Sequence, residues 1–501
     1  MIRLDGSLTI DDVVAVAREG EAVELAPAAA DEMAASREVV EDIVDSEDRH
    51  VYGVNTGLGD LQNVSISRDA LVEMQRNVVA SHAATVGDPA DTEVVRATML
   101  ARANALATGR SGVRPIVVER LCEMLNARVH PRMPLSGSSD DLAAVAHVAL
   151  VLAGGGEAEY DGETVDGEMA LASAGLDPLT LQPKEGLSLI SGTPVMTGLA
   201  ALAVADARRL VRAADAVGAL TFALIGEAPE TFTERVSDVR PHDGHAATAR
   251  NVRAMLPVNP EETPRMTQDP LSLRVIPQVH GTAREHVEFA TDTVETELAS
   301  ATGNPLVFPD GEVYSCGTFN GQPVASAADT AAATISKLGS ISESRTRNLL
   351  EGDDDVAAFL AGDPGLETGL MIAHYTSAGL VAETRSDGIS DRSITVSAGQ
   401  EDIHSMGTVA ARDLRATVER ARQVLAIELL CAVRFHQLAV DADCDDAVRG
   451  SPLEHLLDGL HERVDVPLSD AALSDVIEET AAFIADGGVE ETLGGTKVEL
   501  D

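Results

Sequence analysis

Apolar and polar positions along the chain follow helical spacing more than any other. In DTAAATISKLGSISESRTRNLL, Ile335, Leu338 and Ile341 recur three apart. In TAREHVEFATDTVETELAS, Val287, Ala290, Val294 and Leu298 recur at threes and fours, the spacing that lines one face of a helix. No proline or glycine interrupts the run from Thr408 to Val440, and a helix over all of it would be about 50 Å long. Period-two alternation is scarce, with GEVYSCGTFNG reading as one short strand and turn. No long repeat and no low-complexity linker divides the chain. The pattern predicts an all-α, mainly helical fold, a bundle of long helices forming a single unit over 1–501. Residues 1 to about 200 form its loop-rich part, and those from about 201 to 501 carry the long central and C-terminal helices. Helices that are apolar around much of their circumference need more burial than one chain supplies, which predicts an oligomer.

Charge adds a second constraint. The 82 acidic residues outweigh 37 Lys and Arg, for a net charge of −45, and the only lysines are Lys184, Lys337 and Lys497. The acids are dispersed along the sequence, as suits a surface hydrated in concentrated salt, where screening acts over about 3 Å. A halophilic cytoplasm is the expected setting. Nucleic acid and anionic membrane are excluded as partners, since both need a basic face. No continuous apolar run reaches the roughly 18 residues of a membrane span, and MIRLDGSLTIDDVVAVAREG lacks the apolar core of a signal peptide. Cys122, Cys316, Cys431 and Cys444 are far apart and form no CxxC pair, and there is no HExxH, so neither disulfides nor a metal site is expected.

Glycine-rich loops interrupt the helical pattern and are the places to look for chemistry. Tyr52, in VYGVNTGLGD, is either a general base or a packed tyrosine. Arg274, after QDPLSL, is either a bidentate clamp on a carboxylate or half of a structural salt bridge. Ser81–His82 and QEDIHS (400–405) offer groups able to hold an imidazole or move a proton. In MPLSGSSDDLAAVAH, Ser139 or Asp140 can cap a helix starting near Leu142, with Gly154–Gly156 ending it. Capping explains the acids but not the Gly137 and serines ahead of them.

The ordered set VYGVNTGLG, SHAATVG, GRSGVRP, PLSGSSDDLAAVAH, KEGLSLISGT, QDPLSLRVIPQVHG, SCGTFNGQPVA and SAGQEDIHSMG resembles the aromatic amino acid ammonia-lyases, and histidine ammonia-lyases most. The resemblance covers nearly the whole chain. It implies a helical homotetramer whose active sites combine loops from three subunits and which eliminates ammonia from a small-molecule α-amino acid to give a trans-unsaturated acid. The implied cofactor is 4-methylidene-imidazol-5-one (MIO), made from an internal Ala-Ser-Gly. By the same resemblance, Tyr52 is the base for the β-proton and Arg274 grips the substrate carboxylate. His82 and Glu401 face an imidazole, while Asn55, Ser191 and Phe319 lie at substrate-binding positions.

The departures matter as much. Ala-Ser-Gly is here Ser138-Ser139-Asp140, which keeps the central catalytic Ser139 but puts Asp140 where ring closure favours glycine. Ser191 replaces an asparagine and Leu271 a tyrosine of the ring's surroundings, and Ile403 stands where a histidine follows QED. Three readings result. One is a histidine-type lyase with an unusual ring. Another is a ring-free lyase of the ergothionase kind, releasing trimethylamine from an imidazole betaine. The third is an inactive homologue. A carbon–nitrogen lyase acting on a histidine-like, imidazole-bearing substrate covers the first two.

Overall fold

The computed structural model describes residues 1–46, 49–257, 268–386, 393–441, 447–494, 496, 498 and 500, so Cys444 and Lys497 lie outside the described residues. The fold is mainly helical, and its longest helices are Pro194–Ile225, Ile276–Leu298, Gln322–Leu350 and Gly407–Asp441. The apolar stripes face inward as their spacing requires. Ile335, Leu338 and Ile341 are buried, and so are Val287, Ala290, Val294 and Leu298. Two helical stretches, Glu185–Ile225 and Gly407–Val440, are long and apolar enough to cross a membrane, although no unbroken apolar run is. Of their most apolar windows, 100% and 67% are buried inside the protein, so core packing accounts for their composition.

The chain divides into two compact units, one comprising Met1–Ala205, Ala290–Asp329 and Ile389–Arg415, the other Asp206–Phe289, Thr330–Gly388 and Ala416–Asp501. In the first, short strands brace the loops. Val86–Pro89 pairs antiparallel with Pro134–Ser136, matching Val86 to Ser136. Residues 82–85 and 137–140 therefore leave the ladder at the same end. Leu306–Val307 pairs with Val313–Tyr314, the strand expected within GEVYSCGTFNG. A valine-rich cluster of Val39, Val40, Ile43, Val54 and Val307 packs beside Val51 and Val313. It fixes the segment on both sides of Tyr52.

The second unit is organised around buried charge. Arg345 grips Glu428 through two nitrogens at 2.6 and 2.8 Å, and both side chains are fully buried. Thr221 donates to the same carboxylate at 2.7 Å. Arg345 also donates to His280 Nε2 at 3.2 Å, so the ring proton sits on Nδ1, facing Asp215 at 2.9 Å. Burial alone would raise Asp215, but the His280 hydrogen bond and charge and the Arg284 guanidinium hold it below its usual value.

Candidate active site

The loops named from the sequence, apart from the one that carries Arg274, lie in the first unit. Arg114 of GRSGVRP makes a two-pronged ion pair with buried Glu185 of KEGLSLISGT, both contacts at 2.8 Å. Lys184, fully buried, donates to the Ser111 carbonyl at 2.7 Å and the Ser188 hydroxyl at 3.0 Å. Burial, then the charge of Arg37, pulls its amine down to about 7. Gly53 sits at φ +70°, a left-handed conformation that favours glycine, where the tyrosine loop lies against Leu187. Gln62, further along that loop, donates to Gln400 at 3.2 Å and joins it to QEDIHS.

Tyr52 lies half-buried in the turn, its hydroxyl accepting the Gly59 N–H at 3.3 Å. Asn55 is buried, accepting the Val51 N–H and donating to the Arg49 carbonyl, each at 2.8 Å. Its amide braces its own loop. His82 ends the helix Leu71–His82, with Nδ1 2.7 Å from the Val78 carbonyl. A carbonyl only accepts, so Nδ1 carries a proton and, in the neutral ring, Nε2 is the acceptor. Buried Ser191 caps the C-terminus of Glu185–Ile190. Phe319 is half-buried in a loop held by Cys316 N–H to Asn304 at 2.8 Å and Thr318 hydroxyl to the Gly303 carbonyl at 2.6 Å.

Gly137 has φ +85° with nothing within 4 Å of where a Cβ would lie, so the turn selects glycine for backbone conformation and not for space. Ser138 is buried and donates to the Asp140 carbonyl. Ser139 Oγ is 3.5 Å from His404 Nδ1, and Asp140 Oδ2 is 3.1 Å from the same nitrogen. Glu401 Oε2 lies 3.6 Å from His404 Nε2. The helix starts at Leu142 as expected, and Asp140 accepts the Leu142 N–H at 3.3 Å. Ser139 makes no such cap.

Asp141 does something sequence reasoning missed. Its carboxylate is fully buried and crosses to the start of Pro194–Ile225, accepting Val195 N–H at 2.6 Å and Met196 N–H at 3.1 Å. The Thr408 hydroxyl donates to it at 2.8 Å. Burial raises Asp141 to about 7 against the lowering by these donors. His404 was also missed as a partner of the serine tripeptide. Its signal was a histidine one residue beyond the position where the family carries one.

Arg274 belongs to the second unit, where it ends the short helix Leu271–Arg274. Its Nε donates to the Asp269 carbonyl at 2.9 Å. Among the described residues it makes no ion pair.

Two solved structures share this architecture over essentially the whole chain. A tyrosine aminomutase from Streptomyces globisporus is 32% identical with a TM-score of 0.93, covering 100% of both chains. A histidine ammonia-lyase from Trypanosoma cruzi is 35% identical with a TM-score of 0.90, covering 99% of this chain and 95% of that one. The fold is thus that of the helical lyases and aminomutases. The family model for aromatic amino acid lyase matches residues 8–461, and the chain belongs to that family. A histidine ammonia-lyase from Caldanaerobacter subterraneus subsp. tengcongensis is 43% identical over 509 residues, covering 99% of each protein. The chain is a carbon–nitrogen lyase of histidine ammonia-lyase-like type.

Proposed function

We propose that this chain eliminates ammonia or an amine from a histidine-like, imidazole-bearing small molecule and releases a trans-unsaturated acid of the urocanate type. The observation that carries the reading is the convergence of the tyrosine, serine and QED loops on one unit, with His82 presenting Nε2 as an acceptor. Tyr52 takes the β-proton, the C–H pair becomes the new π bond, and the C–N pair leaves on nitrogen. A positioned base contributes about 10²–10⁴-fold, or roughly 3–5 kcal/mol. Arg274, its Nε tied to the Asp269 carbonyl, clamps the substrate carboxylate with its terminal guanidinium nitrogens. His82 and Glu401 suit the imidazole, while Ser191 and Phe319 line substrate-binding positions and Asn55 shapes the loop. The whole of 1–501 acts as one lyase unit, in a homotetramer within a salt-rich cytoplasm.

Relatives in this family form an electrophilic methylidene-imidazolone. Ser139 keeps the hydroxyl such a ring eliminates, but Asp140 fits it poorly. Its side chain is held by His404 at one oxygen and by Leu142 N–H at the other. Its amide nitrogen would have to close on Ser138 in a compressed turn that glycine tolerates best. These contacts favour a site that works without the ring. They also favour a second reading, in which the leaving group is trimethylamine from a betaine such as ergothioneine or hercynine. A quaternary ammonium is already a fixed cation and departs as a neutral amine, without an electrophile to capture it.

Intact mass tests the ring directly, since closure removes two waters from the encoded chain. Incubation at high salt with histidine, hercynine and ergothioneine, followed by near-UV absorbance of the conjugated acid, then separates the substrates. Silence with all three defeats the lyase reading and leaves an inactive homologue.

A further inference from the structure

We propose that His404 and Glu401, supported by Asp140, bind a divalent transition-metal ion of the Zn²⁺ class. One donor atom from each of the three side chains lies within 4.8 Å of the others. Sequence spacing concealed this group, because residue 140 is far from 401 and 404 along the chain.

The imidazole itself supplies the independent observation. His404 is only 7% exposed, and its Nε2 makes no hydrogen bond. A buried polar atom left without a partner is unusual in a folded protein. That nitrogen faces Glu401 Oε2 at 3.6 Å, while Nδ1 is held by Asp140 Oδ2 at 3.1 Å. Ligand bonds to Zn²⁺ of about 2.0–2.2 Å at a tetrahedral angle hold donor atoms roughly 3.4 Å apart. The Nε2–Glu401 gap is close to that spacing.

The two contacts divide the work. Nε2 and Glu401 bind the ion, and Asp140 accepts the Nδ1–H, fixing the tautomer as a carboxylate does behind a ligating histidine. Ser139 Oγ, 3.5 Å from Nδ1, borders the group. A substrate nitrogen or water completes the coordination, and the ion acts as a Lewis acid on whatever binds there. Imidazole with carboxylate selects Zn²⁺, Co²⁺ or Mn²⁺ over Mg²⁺, which demands more oxygens and keeps its waters. Asp140 and His404 are both departures from the family pattern, and they touch each other.

The test is Zn²⁺ titration of chelator-stripped, full-length protein in concentrated KCl, by calorimetry and elemental analysis, with Co²⁺ as an optical probe. One ion per chain is expected. His404→Ala should remove the tight site and the Co²⁺ visible bands, and Asp140→Asn should weaken binding about 10–100-fold. Glu401→Gln, on a half-exposed loop, serves as the second ligand variant if His404→Ala fails to fold. An unchanged stoichiometry and affinity in the ligand variants would mean adventitious binding to the acidic surface and overturn the proposal. Loss of the ion in Cys316→Ser would also overturn it, by moving the site to the half-buried thiol. Binding is read without turnover. An ion bound by a chain inert toward every substrate retains this site and defeats the lyase reading, and turnover without binding does the reverse.

Discussion

Replacing Asp141 by alanine removes the acceptor for two helix N–H groups at once. Pro194, first in its helix, has no N–H, and Thr193 just before it gives its hydroxyl to Glu297 at 2.6 Å, so Val195 and Met196 rely on Asp141. Both residues are fully buried, beyond the reach of water. Two orphaned donors at about 1–3 kcal/mol each destabilise Asp141→Ala by roughly 2–6 kcal/mol. Asp141→Asn keeps one oxygen for the helix and turns its amide toward Thr408, so it stands in for the protonated acid and costs far less than alanine. Acidity separates the two effects further. Burial lifts Asp141 from 3.8 to about 7, so the folded chain holds this proton more tightly than the unfolded chain does. The resulting stabilisation is complete below the unfolded value and lost as pH rises through about 7, a span on the order of 4 kcal/mol. Wild type should therefore lead Asp141→Asn by most in acid and by least above neutrality. Thermal unfolding in concentrated KCl across that range reads the gap. If Asp141→Asn melts as early as Asp141→Ala, or the gap ignores pH, the capping account is wrong.

Tyr52→Phe should cut turnover by about 10²–10⁴-fold with unchanged melting, measured as formation of conjugated product; near-normal rates would remove Tyr52 as the base. Arg274→Lys keeps the charge but loses the planar fork. It should raise KM at least about tenfold for a carboxylate substrate, and an unchanged KM argues against the clamp. In the second unit, Glu428→Ala strands Arg345 and should destabilise by about 3–5 kcal/mol, read as lost melting temperature. A variant as stable as wild type would show that the pair is dispensable.

Helices were the legible part because their evidence is local. A stripe such as Ile335, Leu338 and Ile341 carries its period within a few residues, and burial follows from it. The start at Leu142 and the strand in GEVYSCGTFNG were legible for the same reason. The partners of polar side chains were not, since these are set by residues distant in sequence. Asp140 and Asp141 looked like adjacent caps on one helix, yet only Asp140 turns to that helix. Asp141 reaches one beginning more than fifty residues later, because burial strips it of water and the proline-led terminus at Val195 and Met196 offers the available donors. The family resemblance puts Asn55 at a substrate-binding position, but the tight turn around Tyr52 claims both ends of its amide. The meeting of Asp140 with His404 changes how the departed tripeptide is understood. A lone aspartate in place of glycine reads as damage to a ring precursor. Set 3.1 Å from a buried histidine nitrogen, the same carboxylate is a polar partner that orients an imidazole.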